Sequence, residues 1–239
     1  MNLRLMVSTA FFSLLYGISL QAAPITVPTG LSPGDQYRLA FVTSGWVDAT
    51  SSDIADYNAF VQGAADAVPE LLGLGATWNA IGSTLTVDAR DNTGTNPDVE
   101  PGVPIYILND TRLVLNNFDL WDGSITNLFI IDEHGAHVIG APSSVWTGTS
   151  VDGTALNPLG SSPLVNLGET TKADSSWVSW KAADPSDPRH YHKRLYAISE
   201  VLSVVPEPSS LLLLGLGGIG AFGKVRRMGI RMAEPSHQQ

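Results

Sequence analysis

Apolar positions divide this 239-residue chain into three parts with different patterns. Residues 5–20 are mainly apolar, and residues 211–222 carry no charge. Between these runs, apolar residues occur in short groups that are separated by turns rich in Gly, Pro, Asp and Asn. This pattern predicts one folded middle region flanked by two hydrophobic segments.

The clearest amphipathic helix is predicted between Ile54 and Val68, where apolar residues recur at helical spacing. Ser52 is predicted to cap the helix, with Asp53 in its first turn. Pro69 is predicted to end it.

Short groups of β-branched and aromatic residues predict strands in the rest of the middle region. A helical turn is predicted at 117–123, and a long polar loop at 88–101. One early helix, many short strands and long loops together indicate an α+β domain. The predicted strands are 37–42, 76–81, 85–87, 103–108, 113–115, 129–131, 137–139, 176–180 and 194–202.

The C-terminal apolar run follows a rigid Val205-Pro206-Glu207-Pro208 segment and stops at a basic cluster. The prolines keep the residues before them extended, which marks a boundary after the domain. A helix at about 209–223 would span roughly 22 Å, which bilayer thinning and snorkelling can match to a ~30 Å hydrocarbon core. Lys224, Arg226 and Arg227 would then stay cytoplasmic. The alternative is a buried core helix, which the abrupt basic end disfavours.

These tail residues resemble the PEP-CTERM sorting signal of Gram-negative bacteria. The resemblance covers 205–227 and implies an exosortase, a membrane cysteine peptidase, as processing partner. It also implies a transient inner-membrane anchor, cleavage near the Pro-Glu-Pro, and release to the cell surface or extracellular matrix. Residues 228–239 form a polar cytoplasmic tail that tails of this family normally lack.

The N-terminal pattern agrees with export. Arg4 precedes the apolar run, and Gln21-Ala22-Ala23 supplies small residues for cleavage. This predicts a signal peptide over 1–22, with the Sec translocon and signal peptidase as partners. An uncleaved anchor is the alternative.

Removing both tags leaves a domain over 23–204. Between residues 23 and 205 there are 8 Lys and Arg against 21 Asp and Glu, a net charge of −13. Such a surface disfavours nucleic acid as a partner. The chain has no cysteine, which excludes disulfides, thiol catalysis and thiolate metal sites.

Short motifs in the middle region resemble the endostatin-like domain, a module of some animal collagens. The resemblance implies a C-type lectin-like fold for one domain. The disulfide cysteines, N-terminal zinc histidines and basic heparin patches of that family have no counterpart, so zinc and heparin binding are not carried over. The matching motifs are 55–60, 73–80, 103–105, 119–123, 144–148, 152–153, Trp177 and 196–198.

The acidic loop is the first candidate for a metal site, because hard cations such as Ca²⁺ prefer carboxylate and amide oxygens. It lacks EF-hand spacing, so a solvated acidic loop is the stronger interpretation and no cofactor is required. Two histidine pairs, 134/137 and 190/192, are interpreted as exposed turn residues rather than a zinc site. The Ca²⁺ candidates are Asp88, Asp91, Asn92, Asp98 and Glu100.

Six tryptophans could form a sugar-stacking face, yet most lie beside apolar strands and are expected in the core. Trp46 lies in a polar turn and is expected to be exposed.

Three functions follow as hypotheses. The preferred one is an exported, non-enzymatic binding protein whose loops bind a glycan, a partner protein or Ca²⁺. The second is a hydrolase of matrix polysaccharide, since two of the many carboxylates could meet in the fold. The third is a purely structural matrix component.

Overall fold

The computed structural model describes residues 23–205 apart from positions 139, 141, 142 and 162. The predicted signal peptide, membrane helix, basic cluster and polar tail lie outside these residues. Within them, no helix has both the length and the apolar character that a membrane crossing requires.

The described chain mixes helices and short strands, which is compatible with the predicted α+β class. The helices are α1 Ile54–Asp66, α2 Pro69–Leu72, α3 Ala89–Asn92, α4 Asn117–Leu120 and a 3-10 helix, Ser175–Trp177. The strands are β1 Gln36–Val42, β2 Trp78–Ala80, β3 Ile105–Ile107, β4 Arg112–Val114, β5 Ser144–Trp146, β6 Val165–Glu169, β7 Lys181–Ala183, β8 Tyr196–Ser199 and β9 Leu202–Ser203.

The main sheet is centred on β1, and its strand order is β2-β8-β1-β3-β4, with β9 paired to the start of β1. β1 runs parallel to β3 and antiparallel to β8, with Ala40 opposite Ile198. Its residues after Gln36 are all buried, as expected for a central strand with both faces covered. This pairing brings the first and last strands of the domain together.

Helix α1 is confirmed, but its cap is Asp53 and the prediction of Ser52 was wrong. Helical geometry begins at Ile54, so the extended Asp53 is the residue that can reach back to the free amides. Its Oδ1 accepts a hydrogen bond from Ala55 N at 2.9 Å. Tyr57, one turn into the helix, is buried and donates to Ser51 O at 2.8 Å.

A second sheet, β5-β6-β7, contains two departures from the predicted elements. The predicted strand 176–180 is instead the 3-10 helix, because Asp174 Oδ1 accepts from Ser176 N at 2.9 Å and caps that turn. Strand β6 lies outside the strands predicted from the sequence. At Gly168 of β6, a Cβ would collide with the Trp177 carbonyl oxygen, so this close approach requires glycine.

Three further predictions need correction. Residues 85–87 form no strand, and Leu85 is 82% exposed because the chain bends there toward α3. The polar loop 88–101 contains α3, whose N-cap residue is Asp88. The closing strand 194–202 is interrupted between β8 and β9.

An aromatic cluster joins strand β8 of the main sheet to the 3-10 helix. Tyr196 stacks on Phe129 with centroids 4.3 Å apart, and Trp177 lies 5.7 Å from Tyr196. Trp121 extends the cluster at 6.0 Å from Trp177. In a chain without disulfides, this packing supplies much of the stability.

Candidate functional site: the Trp46 turn

Two of the six tryptophans are exposed. Trp46 is 47% exposed and Trp180 is 42% exposed, whereas the other four are buried. The expected exposure of Trp46 is therefore confirmed, as is the expectation that most tryptophans belong to the core. A single exposed apolar side chain is common on protein surfaces, so Trp46 is of interest because of the contacts that fix its turn.

We call residues 43–48 the Trp46 turn. Hydrogen bonds from buried side chains hold this turn in place. Thr43 Oγ1 donates to Gly45 O at 2.9 Å, while the same oxygen accepts from Leu195 N at 3.0 Å. Glu133, which is 4% exposed, accepts from both Ser44 N, at 2.7 Å, and Ser44 Oγ. The turn is thus held by a buried carboxylate rather than left to solvent.

Arg194 supports the same turn from a second direction. Its Nη1 donates to Thr43 O at 2.7 Å and to Ser44 O at 2.6 Å. Its guanidinium carbon lies 5.8 Å from the Trp46 ring centroid, which is within cation–π range. Trp46 therefore has one ring face near a fixed positive charge.

The segment that carries Arg194 is paired to the turn. Val47 and Lys193 exchange two backbone hydrogen bonds of 2.8 and 3.0 Å. The adjoining Tyr191 is 44% exposed and meets His192 edge to face, with ring centroids 4.3 Å apart. Aromatic surface is thus presented on both chain segments.

A cation also lies beside the other exposed tryptophan, Trp180. Lys181 Nζ lies 3.9 Å from the Trp180 ring centroid. Burial and the charge of Lys181 lower the pKa of Lys193, which places the Lys181 charge near the paired segment. Residues 180–194 hold four of the eight Lys and Arg residues between 23 and 205. Positive charge is therefore concentrated here in an otherwise acidic domain.

This arrangement suits binding. A rigid indole offers a flat apolar surface on which the C–H face of a sugar ring can stack, and the adjacent cation can pair with an anion. The backbone of the turn is already fixed by Glu133 and Arg194, so it loses little further conformational freedom when a ligand binds.

The predicted acidic loop is divided by helix α3. Asp88 Oδ1 accepts from Ala155 N at 2.8 Å. Asn92 Nδ2 donates to Ala80 O at 2.8 Å and to Asn58 Oδ1 at 2.9 Å. Both side chains therefore serve as internal links.

The remaining loop candidates lie nearer one another. Asp91 and Glu100 line a pocket of about 150 Å³ together with Gly94, Asn96 and Val99. Asp98 lies 3.3 Å from Arg90 Nη1. Among residues 23–205 as described, no group of three or more His, Asp or Glu side chains is placed to hold a metal ion. Calcium binding at this loop stays a hypothesis that a thermal-shift measurement can test.

The histidines take separate local roles. His134 Nε2 lies 3.7 Å from Glu133 Oε1, behind the Trp46 turn. His137 forms an isolated antiparallel bridge with Ile131, so the segments 129–131 and 137–139 pair back as expected, but the described residues form a bridge instead of the two predicted strands. His192 packs on Tyr191.

The C-terminal end of the described domain is hydrogen-bonded to its N-terminal end. Val204 N donates to Asp35 O at 2.9 Å, and Gly34 N donates to Val204 O at 2.8 Å. From this residue onward, 204–227 matches the PEP-CTERM protein-sorting motif. The chain carries an exosortase sorting signal. No curated protein matches the chain.

The sorting motif indicates an exported protein with a membrane-associated C-terminal signal and an exosortase as processing partner. The predicted sorting residues, Val205, Pro206, Glu207, Pro208, Lys224, Arg226 and Arg227, all fall within the matched range.

Trp46 could be singled out from its polar neighbours, whereas no local pattern connects Glu133 or Arg194 with it. Both are far from Trp46 along the chain, and their spacing follows no local period. The concentration of cations in 180–194 was the available signal, since it stands out against the acidic remainder.

Proposed function

We propose that this protein is a non-enzymatic glycan-binding module with a C-type lectin-like fold, released by its exosortase to the cell surface or extracellular matrix. The sorting motif supports the destination. The one long early helix and the short strands of the described domain are compatible with the proposed fold class.

The observation that carries the proposal is the exposed Trp46 held over Arg194. An indole that is half exposed is normally free to reorient, yet here its turn is fixed by Thr43, Glu133 and Arg194. Preorganised aromatic side chains of this kind dominate the affinity of binding surfaces.

Binding is favoured over hydrolysis by what the neighbouring charged groups do. Glu133 accepts hydrogen bonds from Ser44, and Arg194 donates to two backbone carbonyls. Groups committed to holding a turn are poorly suited to exchanging protons with a substrate.

The test uses protein secreted by cells that express the full chain, incubated with extracellular polysaccharide from the same cells. We expect Trp46→Ala to weaken binding about tenfold or more, since truncating a central aromatic residue removes at least 1.4 kcal/mol. Phe118→Ala is the matched control, because Phe118 is also exposed, at 58%, but lies on α4.

The outcomes separate the three hypotheses. Loss of binding in Trp46→Ala alone supports the proposal. Release of new reducing ends, dependent on a carboxylate pair, would favour the hydrolase. Retention of the protein in the matrix with no saturable polysaccharide binding would favour a structural component.

A further inference from the structure

Positive charge and exposed indoles coincide in this domain. Trp46 and Trp180 are its exposed tryptophans, and each has a cation against its ring, Arg194 in one case and Lys181 in the other. A platform for neutral sugars needs an aromatic ring but no adjacent cation. The repeated pairing of an exposed indole with a cation therefore favours a negatively charged ligand.

Resting on the proposed function, we propose that the ligand is an acidic polysaccharide whose pyranose rings carry carboxylates. The ring C–H face stacks on an indole while the carboxylate of the same residue pairs with the adjacent cation. Lys181 supplies an exposed ammonium for this pairing. At Arg194 the guanidinium is partly exposed, Nη1 holds the turn, and Nε is buried without a hydrogen-bond partner among the described residues, so this residue contributes its positive charge beside Trp46.

Two nearby cations contribute less. Arg189 is bound to Asp187, with Nη2 to Oδ2 at 2.6 Å, and that contact lowers the pKa of Asp187 to about 2. Lys193 is buried and donates to Arg189 O at 3.4 Å. The recognition therefore depends on Lys181 and Arg194, one beside each exposed tryptophan.

The net charge of −13 opposes a polyanion at long range. At an ionic strength of about 0.15 M the Debye length is about 8 Å, so the repulsion from distant acidic residues is screened. The affinity then depends on the cations that contact the polymer. At about 0.01 M the whole domain would repel the polymer, and at about 1 M the local pairs weaken. Affinity should therefore peak at intermediate salt.

The experiment measures the affinity of the secreted full-chain protein for polygalacturonate and for dextran, a neutral glucan. We expect polygalacturonate to bind at least tenfold more tightly, with its maximum at intermediate salt. Lys181→Gln should weaken that binding about fivefold and leave dextran binding unchanged. Lys172→Gln is the control, because Lys172 is exposed but lies beside Asp174 rather than an indole.

Failures of the two proposals are distinguishable. Equal affinity for dextran and polygalacturonate, lost in Trp46→Ala and unaffected by Lys181→Gln, overturns the acidic ligand and keeps glycan binding. Binding of neither polysaccharide overturns the acidic ligand, and a further absence of binding to the cells' own extracellular polysaccharide overturns glycan binding as well. Preferential binding of an acidic protein or of DNA, lost in Lys181→Gln, also overturns the acidic polysaccharide. Thermal melts confirm that each variant is folded.

Discussion

Arg194 joins the closing segment of the domain to Trp46: its Nη1 donates to Thr43 O and Ser44 O, and its guanidinium lies 5.8 Å from the indole. One side chain therefore both closes the turn and sets the charge beside the exposed ring. Glu133 completes the support through Ser44. The position of Trp46 depends on the hydrogen bonds that Glu133 and Arg194 make with its turn. Substituting these two residues therefore tests the site while the indole itself is unchanged.

Glu133→Gln should loosen the Trp46 turn. Gln offers one oxygen in place of the two that accept from Ser44, so the loss should lower the free energy of unfolding by about 1–3 kcal/mol. Urea denaturation measures this, and increased mobility of Trp46 should follow in fluorescence anisotropy. Glu70→Gln is the control, since Glu70 is exposed in α2. Equal effects of the two substitutions would contradict this account of the turn.

Gly168→Ala should be severely destabilising. A methyl group there collides with the Trp177 carbonyl, and neither β6 nor the 3-10 helix can move without disturbing the aromatic cluster. We expect a loss of more than about 2 kcal/mol in chemical denaturation. Gly63→Ala is the opposite case, because a Cβ in α1 meets nothing within 4 Å, and it should stabilise by about 0.5–1 kcal/mol. A mild effect at Gly168 would mean that the two segments are not in contact.

Lys193→Met should alter the pH dependence of stability. Burial lowers the pKa of Lys193 below 10.5, so between the folded-state value and 10.5 the unfolded chain binds more protons and wild-type stability rises with pH. The variant lacks this penalty, so its melting temperature should exceed that of wild type by a few degrees at pH 7. The difference should shrink as the pH approaches 10.5. A constant difference would show that Lys193 is not desolvated.

The mature C-terminus should fall after Val204. A peptidase needs its substrate extended and free, whereas residues 202–204 are hydrogen-bonded to 34–37. Mass spectrometry of the native protein should therefore show a C-terminus at or beyond Val205 and an N-terminus near Ala23. A terminus before Leu202 would contradict the role of β9. A peptide containing Arg231 from envelope material would show that the anchor persists.

Calcium should leave the melting temperature unchanged. Asp98 faces Arg90, and Asp88 and Asn92 already bind backbone groups, so gathering these oxygens around one ion would require breaking internal links. The measurement is a thermal shift with millimolar Ca²⁺ and with EDTA. An EDTA-sensitive increase, lost in Asp91→Asn, would establish a site at the Asp91–Glu100 pocket.

Several features could be read from local sequence because local physics determines them. Helix α1 follows from the helical spacing of its apolar residues, and strand β1 follows from a mainly apolar run that includes aromatic and β-branched residues. The exposure of Trp46 followed from its polar neighbours. The sorting signal is a linear pattern, recognisable without a fold.

Tertiary contacts decided the rest. Ser176–Trp180 has the composition of a strand, but the Asp174 cap and the close approach of Gly168 to Trp177 make it a 3-10 turn. The acidic residues of 88–101 are close in sequence and were a candidate metal site, but helix α3 separates their side chains in the fold. Trp46, Glu133 and Arg194 form one site because sheet pairing brings three distant segments together, and no local period in the sequence encodes such a meeting.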